Sequence, residues 1–127
     1  MSVAVRPNNG FMIIDKPSGM TSHDVTAQLR KRLKIKRIGH SGTLDPGATG
    51  VLIVGLGHTC RLLQYLSDLP KTYTFDLCLG IETDTLDDQG QTTAVHDMSK
   101  IKMQDVAAKA QFLLGPSLQT SPQVSAR

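Results

Sequence analysis

Residues His40 to Gly50, HSGTLDPGATG, constrain the fold of this chain more than any other stretch. Small residues and glycines surround one carboxylate, Asp45, held between Leu44 and Pro46. Asp-Pro-Gly is good turn chemistry, because proline presets φ and an Asp side chain bonds nearby backbone. The apolar run VLIV, Val51 to Val54, follows at once and reads as a buried strand; Gly55-Leu56-Gly57 reads as a turn. HTCRLLQYL then reads as a short helix with Leu62, Leu63 and Leu66 inward. A turn by itself would explain Asp45, so these residues alone leave a structural and a chemical role both open.

Upstream, FMII reads as a strand and DKPSGMTS as the turn after it. Thr21 or Ser22 can cap a helix, with Asp24 placed for a capping box. Val25, Leu29 and Leu33 recur every fourth residue and form the core face, which leaves Arg30, Lys31, Arg32 and Lys34 outside. Downstream, KTYTFDLCLG alternates as a strand should: Tyr73, Phe75, Leu77 and Leu79 on one face, Thr74, Asp76 and Cys78 on the other. IETDTLDDQGQTT reads as a polar loop. A last helix, Gln104 to Leu114, carries Val106, Ala110, Leu113 and Leu114 at helical spacing and stops at Gly115-Pro116. The tail SLQTSPQVSAR contains no recognisable closing element.

The 127 residues are one domain's worth, with an ordinary 39% hydrophobic and 20% charged composition, so disorder is not indicated. The net charge of +3 hides an asymmetry. Residues 1–73 hold ten Lys/Arg against four Asp/Glu (+6), and residues 74–127 four against seven (−3). Six of the eight residues in RKRLKIKR, Arg30 to Arg37, are basic, which would concentrate positive potential toward a polyanion. Taken alone, such a run is more often a solvated helix face or a targeting signal.

Cys60 and Cys78 lack C-x-x-C spacing and are expected to be buried free thiols. MSVAVRPNNG has no apolar leader core, and no run approaches the roughly 20 apolar residues of a membrane span, so a cytoplasmic protein without membrane contact is expected. No metal or cofactor is expected. His23, His40, His58 and His96 lack zinc-site spacing, and a calcium loop counted from Asp84 would need glycine at its sixth position, where Gln89 stands. Gly55-Leu-Gly57 resembles the start of a dinucleotide fingerprint, but Cys60 takes the third glycine position.

Four segments together, GFMIIDKPSGMTSHDV, GHSGTLDPGATGVLIVGLGHTCRLLQYL, KTYTFDLCLGIETDTLDDQG and, more faintly, SPQVSA, resemble the TruB-type tRNA pseudouridine synthases. That family converts a uridine in the T-arm loop of transfer RNA, position 55, into pseudouridine. The combination of D-K-P-x-G-x-T-S with G-H-x-G-T-L-D-P-x-A-x-G is far more specific than any single short motif. The resemblance implies that Asp45 is the catalytic aspartate and that His40 contacts RNA and helps hold the target nucleotide extruded. It implies that Tyr73 stacks on the flipped uracil and that Asp87 belongs to the active-site network. Lys16 falls in the D-K-P segment, where loop structure and substrate contact are equally expected, and Arg61 stands at a substrate-side position where many members have lysine. Arg30, Lys31, Arg32, Lys34, Lys36 and Arg37 would hold the RNA backbone.

The implied fold is α/β (α+β), a largely antiparallel mixed sheet flanked by helices, of which residues 1–127 would supply the first half of the catalytic domain. The later catalytic segments and any accessory RNA-binding domain would be absent. Val124 also occupies a place where tyrosine is common in the family. An isolated half would expose strand edges, so self-association through them is expected. The alternative to an active isomerase is a catalytically incomplete fragment that only binds RNA.

Overall fold

The computed structural model describes residues 8–118, in two compact units, one ending at Thr72 and one beginning at Tyr73. The faint SPQVSA match and Val124 lie outside the described residues.

In the first unit the order is β1 (Gly10–Lys16), α1 (Ser22–Leu33), β2 (Ile38–Ser41), β3 (Gly50–Leu56), a 3₁₀ turn (Gly57–Leu62) and α2 (Leu63–Ser67). The central strand β3 pairs antiparallel with β1 and β2, so that Met12 and His40 both lie opposite Val54, and Ile14 opposite Leu52. Period-two alternation sends Leu52, Val54 and Leu56 into a core with Ile38 and Val25, while Val51 is 69% exposed. Leu29, Leu33 and Ile35 pack against that core, as the four-residue spacing predicts. Thr21 is the N-cap: its hydroxyl accepts from Asp24 N at 3.0 Å and Asp24 accepts from Thr21 N at 2.9 Å. The capping box is therefore complete. Lys34 ends the helix in the left-handed conformation, φ 58 and ψ 33.

Three local expectations change. VLIV is buried on one face only. Gly55-Leu56 belongs to β3 rather than to a turn, because both residues find ladder partners on either side, Phe11 and Gly39 for Gly55 and Gly10 and Ile38 for Leu56. Leu63 packs over Gly55 so closely that an added Cβ would lie 3.1 Å from its side chain. The helix after it is split between the 3₁₀ turn and α2, with Leu63 buried, Leu66 half-buried and Leu62 exposed.

The second unit contains β4 (Ile81–Thr83), β5 (Thr92–Val95) and α3 (Met103–Gln111). Here the sequence patterns misled more. Residues 71–78 form no strand despite their alternation, and Tyr73, Phe75 and Leu77 are all more than half exposed. An alternating pattern says which face could be covered, but a strand exists only where backbone groups find a partner. The stretch read as a loop instead contains the antiparallel β4–β5 hairpin, with Ile81 opposite Val95 and an irregularity after Glu82. Its β-branched residues, Ile81, Thr83, Thr92, Thr93 and Val95, were the overlooked signal. The last helix ends at Gln111 rather than Leu114, with Val106 half-buried and Leu113 and Leu114 exposed. Cys60 is half-buried and Cys78 exposed, both free thiols, so the buried-thiol expectation fails for Cys78. Both sheets are antiparallel, in the mixed α/β class that was expected.

Candidate active site

The loop between β2 and β3 carries Asp45 on a tight turn. Ala48 N donates to Asp45 O at 3.1 Å, with Pro46 and Gly47 at the two central positions, the arrangement for which proline's fixed φ is suited. The turn reading of Asp-Pro-Gly therefore holds. It does not consume the carboxylate: Asp45 is exposed, and among the described residues no donor bonds its side-chain oxygens.

What fixes this turn comes from the segment after β1. Lys16 is fully buried, and its Nζ donates to Pro17 O at 2.9 Å, Met20 O at 2.6 Å and Pro46 O at 3.2 Å. An ammonium has three protons, so this set satisfies it. Of the two roles read for Lys16, these bonds serve the structural one. Gly19, with φ +82, turns DKPSG so that its N–H also donates to Pro46 O, at 2.8 Å. On the other side of Asp45, Leu44 N donates to Ser22 Oγ at 3.0 Å and Ser22 Oγ returns a longer bond of 3.4 Å to Leu44 O. The residues before and after Asp45 are thus both anchored, to α1 and to the β1 turn, while the carboxylate stays free.

Ser22 and Gly19 were missed by sequence reasoning. A signal existed for Ser22: once Thr21 caps the helix, the hydroxyl beside it is redundant for capping and is free to reach across 22 residues to Leu44.

His40 lies on β2 in the row Met12, Val54, His40, on the sheet face that α1 covers. It is half-buried, and its Nδ1 is buried without a hydrogen-bond partner. Such a group costs free energy unless something completes it. Arg61 is exposed in the 3₁₀ turn. Within the basic run, Arg30 folds back to donate to Ile38 O, and Lys31, Arg32, Lys34, Lys36 and Arg37 are exposed.

Tyr73 and Asp87 belong to the second unit. Tyr73 is 63% exposed. Asp87 lies in the β4–β5 loop, where its Oδ1 accepts from the Thr85 hydroxyl and from Gln89 N at 3.0 Å. These bonds, Thr85 first, hold its carboxyl below the ordinary Asp value. Thr83 Oγ1 donates to Asp87 O at 2.8 Å, which ties the loop to β4. The structure therefore brings together Lys16, Ser22 and Asp45, and sets Tyr73 and Asp87 in a separate unit. Among the described residues, no three His, Cys, Asp or Glu side chains gather where they could hold a metal ion. No helix among them is long and apolar enough to cross a membrane.

Residues 30–127 match the model of the TruB family pseudouridylate synthase N-terminal domain. A tRNA pseudouridine synthase B of Syntrophotalea carbinolica is 46% identical over 118 residues, covering 93% of this chain and 39% of that protein. The protein of the same name from Oenococcus oeni is 45% identical over 120 residues, covering 93% and 40%. This chain thus spans about two fifths of the length of these relatives. A solved H/ACA RNP bound to a substrate RNA containing 2′-deoxyuridine includes a chain 44% identical, with a TM-score of 0.44, over 46% of this chain and 18% of its own.

Proposed function

Because the chain belongs to the TruB family of pseudouridylate synthases, we propose that it carries the catalytic aspartate of a transfer RNA uridine isomerase acting in the T-arm loop, at position 55. The observation that carries this reading is the Asp45 turn, anchored at Leu44 and Pro46 with an unpartnered, solvent-facing carboxylate. A side chain held that way pays little ordering cost when a substrate arrives.

Isomerisation breaks the bond from ribose C1′ to N1 and joins C1′ to C5. The C5 hydrogen is lost as a proton and N1 gains one. No electrons are exchanged with a partner, and a carboxylate can serve such a sequence as nucleophile on the sugar or as base at C5. The uridine must leave its stack to reach Asp45, at a cost of about a few kcal/mol. Stacking on an exposed aromatic such as Tyr73 returns roughly 1–3 kcal/mol of that. His40 is assigned to RNA contact by its place in the motif, and Asp87 and Arg61 to the surrounding network. Lys16 is assigned to holding the loop. A cytoplasmic location, where transfer RNA is processed, belongs to the same reading.

A second reading is supported by the exposure of Lys31, Arg32, Lys34, Lys36 and Arg37 in the basic run. In it the chain binds the T-arm through these basic residues and lacks turnover. Self-association through exposed sheet edges, such as those of β1 and β2, is a third element of the proposal.

Tritium release from a T-arm stem-loop labelled at uridine C5 separates these readings. Turnover by the chain that Asp45→Asn abolishes, with RNA affinity kept within about twofold, is the expected result. Turnover retained by D45N would show that another residue does the chemistry, and salt-sensitive binding without any release would leave the binding-module reading.

A further inference from the structure

The second end of α1 builds a groove that nothing in the active-site loop requires. It has a volume of about 420 Å³, with Asn8 and Asn9 on one side, Lys34 and Lys36 on the other, and Gly57 and His58 between them. Three chain segments are cross-linked to form it: Gly57 N donates to Arg37 O at 2.7 Å, and His58 N donates to Asn9 Oδ1 at 2.7 Å. Gly57 has φ +60, and a Cβ there would overlap Asn8 O and Asn9 Oδ1, so the close approach of these segments depends on glycine.

Every side chain that can donate from these walls is basic or an amide, and no carboxylate lines the groove. Lys34 and Lys36 stand out to solvent because Ile35 between them turns in to the core. Among the described residues the side-chain ion pair is His96 with Glu82, in the other unit, so neither ammonium has a carboxylate partner there. The backbone adds an independent observation. Lys34 holds a left-handed conformation, φ 58, at the helix end where glycine is the usual residue and costs nothing sterically. A cation sits where the local backbone alone would favour glycine, and such outliers point to use of the side chain.

We propose that this groove is a docking site for a backbone phosphate of the RNA, gripped by Lys34 and Lys36 with the amides of Asn8 and Asn9 and the ring of His58 as further hydrogen-bonding groups. The proposal rests on the reading of the chain as an RNA-acting protein and assigns one place where the phosphate backbone is held, apart from the Asp45 loop.

The test is binding of a T-arm stem-loop RNA over a series of salt concentrations by the unmodified chain, Lys34→Gly and Lys100→Gln. K34G removes the charge while giving the backbone the residue its conformation suits, so its thermal midpoint should hold or rise. One lost phosphate contact lowers the slope of log affinity against log salt by about 0.7–0.9, which is about five- to eightfold in affinity at 0.1 M salt. K100Q, an exposed lysine of the other unit, should leave slope and affinity unchanged. K34G with the unmodified slope, or K100Q with an equal loss, would overturn the groove as a site while leaving the RNA reading intact. Absence of salt-dependent binding by the unmodified chain would overturn both.

Discussion

Ser22→Ala isolates one anchor of the Asp45 loop. Ser22 is 1% exposed, and its Oγ is the acceptor for Leu44 N at 3.0 Å; its own bond to Leu44 O, at 3.4 Å, is weak. Alanine removes one oxygen and leaves the Leu44 amide without that partner, a loss of about 1–3 kcal/mol for a buried donor. Alanine is also the better helix former at the first position of α1, which returns about 0.5 kcal/mol. The net expected destabilisation is about 0.5–2.5 kcal/mol, and in a domain of this size each kcal/mol moves the midpoint by about 4–8 °C. Native-state hydrogen exchange reads the site itself. The Leu44 amide should exchange about two- to sixtyfold faster in S22A, at about tenfold per 1.4 kcal/mol, while amides of β3 follow only the global change. If the chain turns over as proposed, a less fixed loop should lower kcat for tritium release by a factor of about ten or more and change KM little. A Leu44 amide that stays as protected as before, with an unmoved midpoint, would refute the claim that Ser22 anchors the residue before Asp45.

Lys16→Met tests the anchor on the other side. It orphans Pro17 O and Met20 O while Pro46 O keeps Gly19 N, and it also relieves the burial of an ammonium, so a net loss of about 1–3 kcal/mol is expected in a melt. Thr21→Ala should cost about 0.5–2 kcal/mol through the lost N-cap, measured by denaturant titration. It should also change the acid limb. The hydrogen bonds from Thr21 hold Asp24 below its ordinary value of 3.8, so their stabilisation is present above that pH and lost as pH falls through the lowered folded value. A melt series from pH 5 to pH 2 should therefore show a shallower acid loss in T21A than in the unmodified chain.

The parts of this protein legible in its sequence are those made by neighbours in the chain. The capping box joins Thr21 to Asp24, three residues on, and the Asp45 turn closes through Ala48. The core stripe Val25, Leu29 and Leu33 follows from helical spacing, and the exposure of Lys31, Arg32 and Lys34 is its complement; Arg30, expected outside as well, is instead half-buried because it donates to Ile38 O. The type of Asp45, its place on a turn and the family motif around it likewise needed no fold.

Tertiary structure decided everything that depends on a partner far along the chain. Tyr73 to Leu79 has a strand's alternation but no ladder, whereas Ile81–Thr83 and Thr92–Val95, in a polar run, pair with each other. Lys16 could as well have reached solvent; it is buried because three carbonyls converge on it, one of them 30 residues away in the Asp45 turn. Ser22 serves Leu44 for the same reason. Local hydrogen bonds and periodicity are written in residue order, but which backbone groups are left to be satisfied, and by which distant side chain, is fixed only when the elements pack.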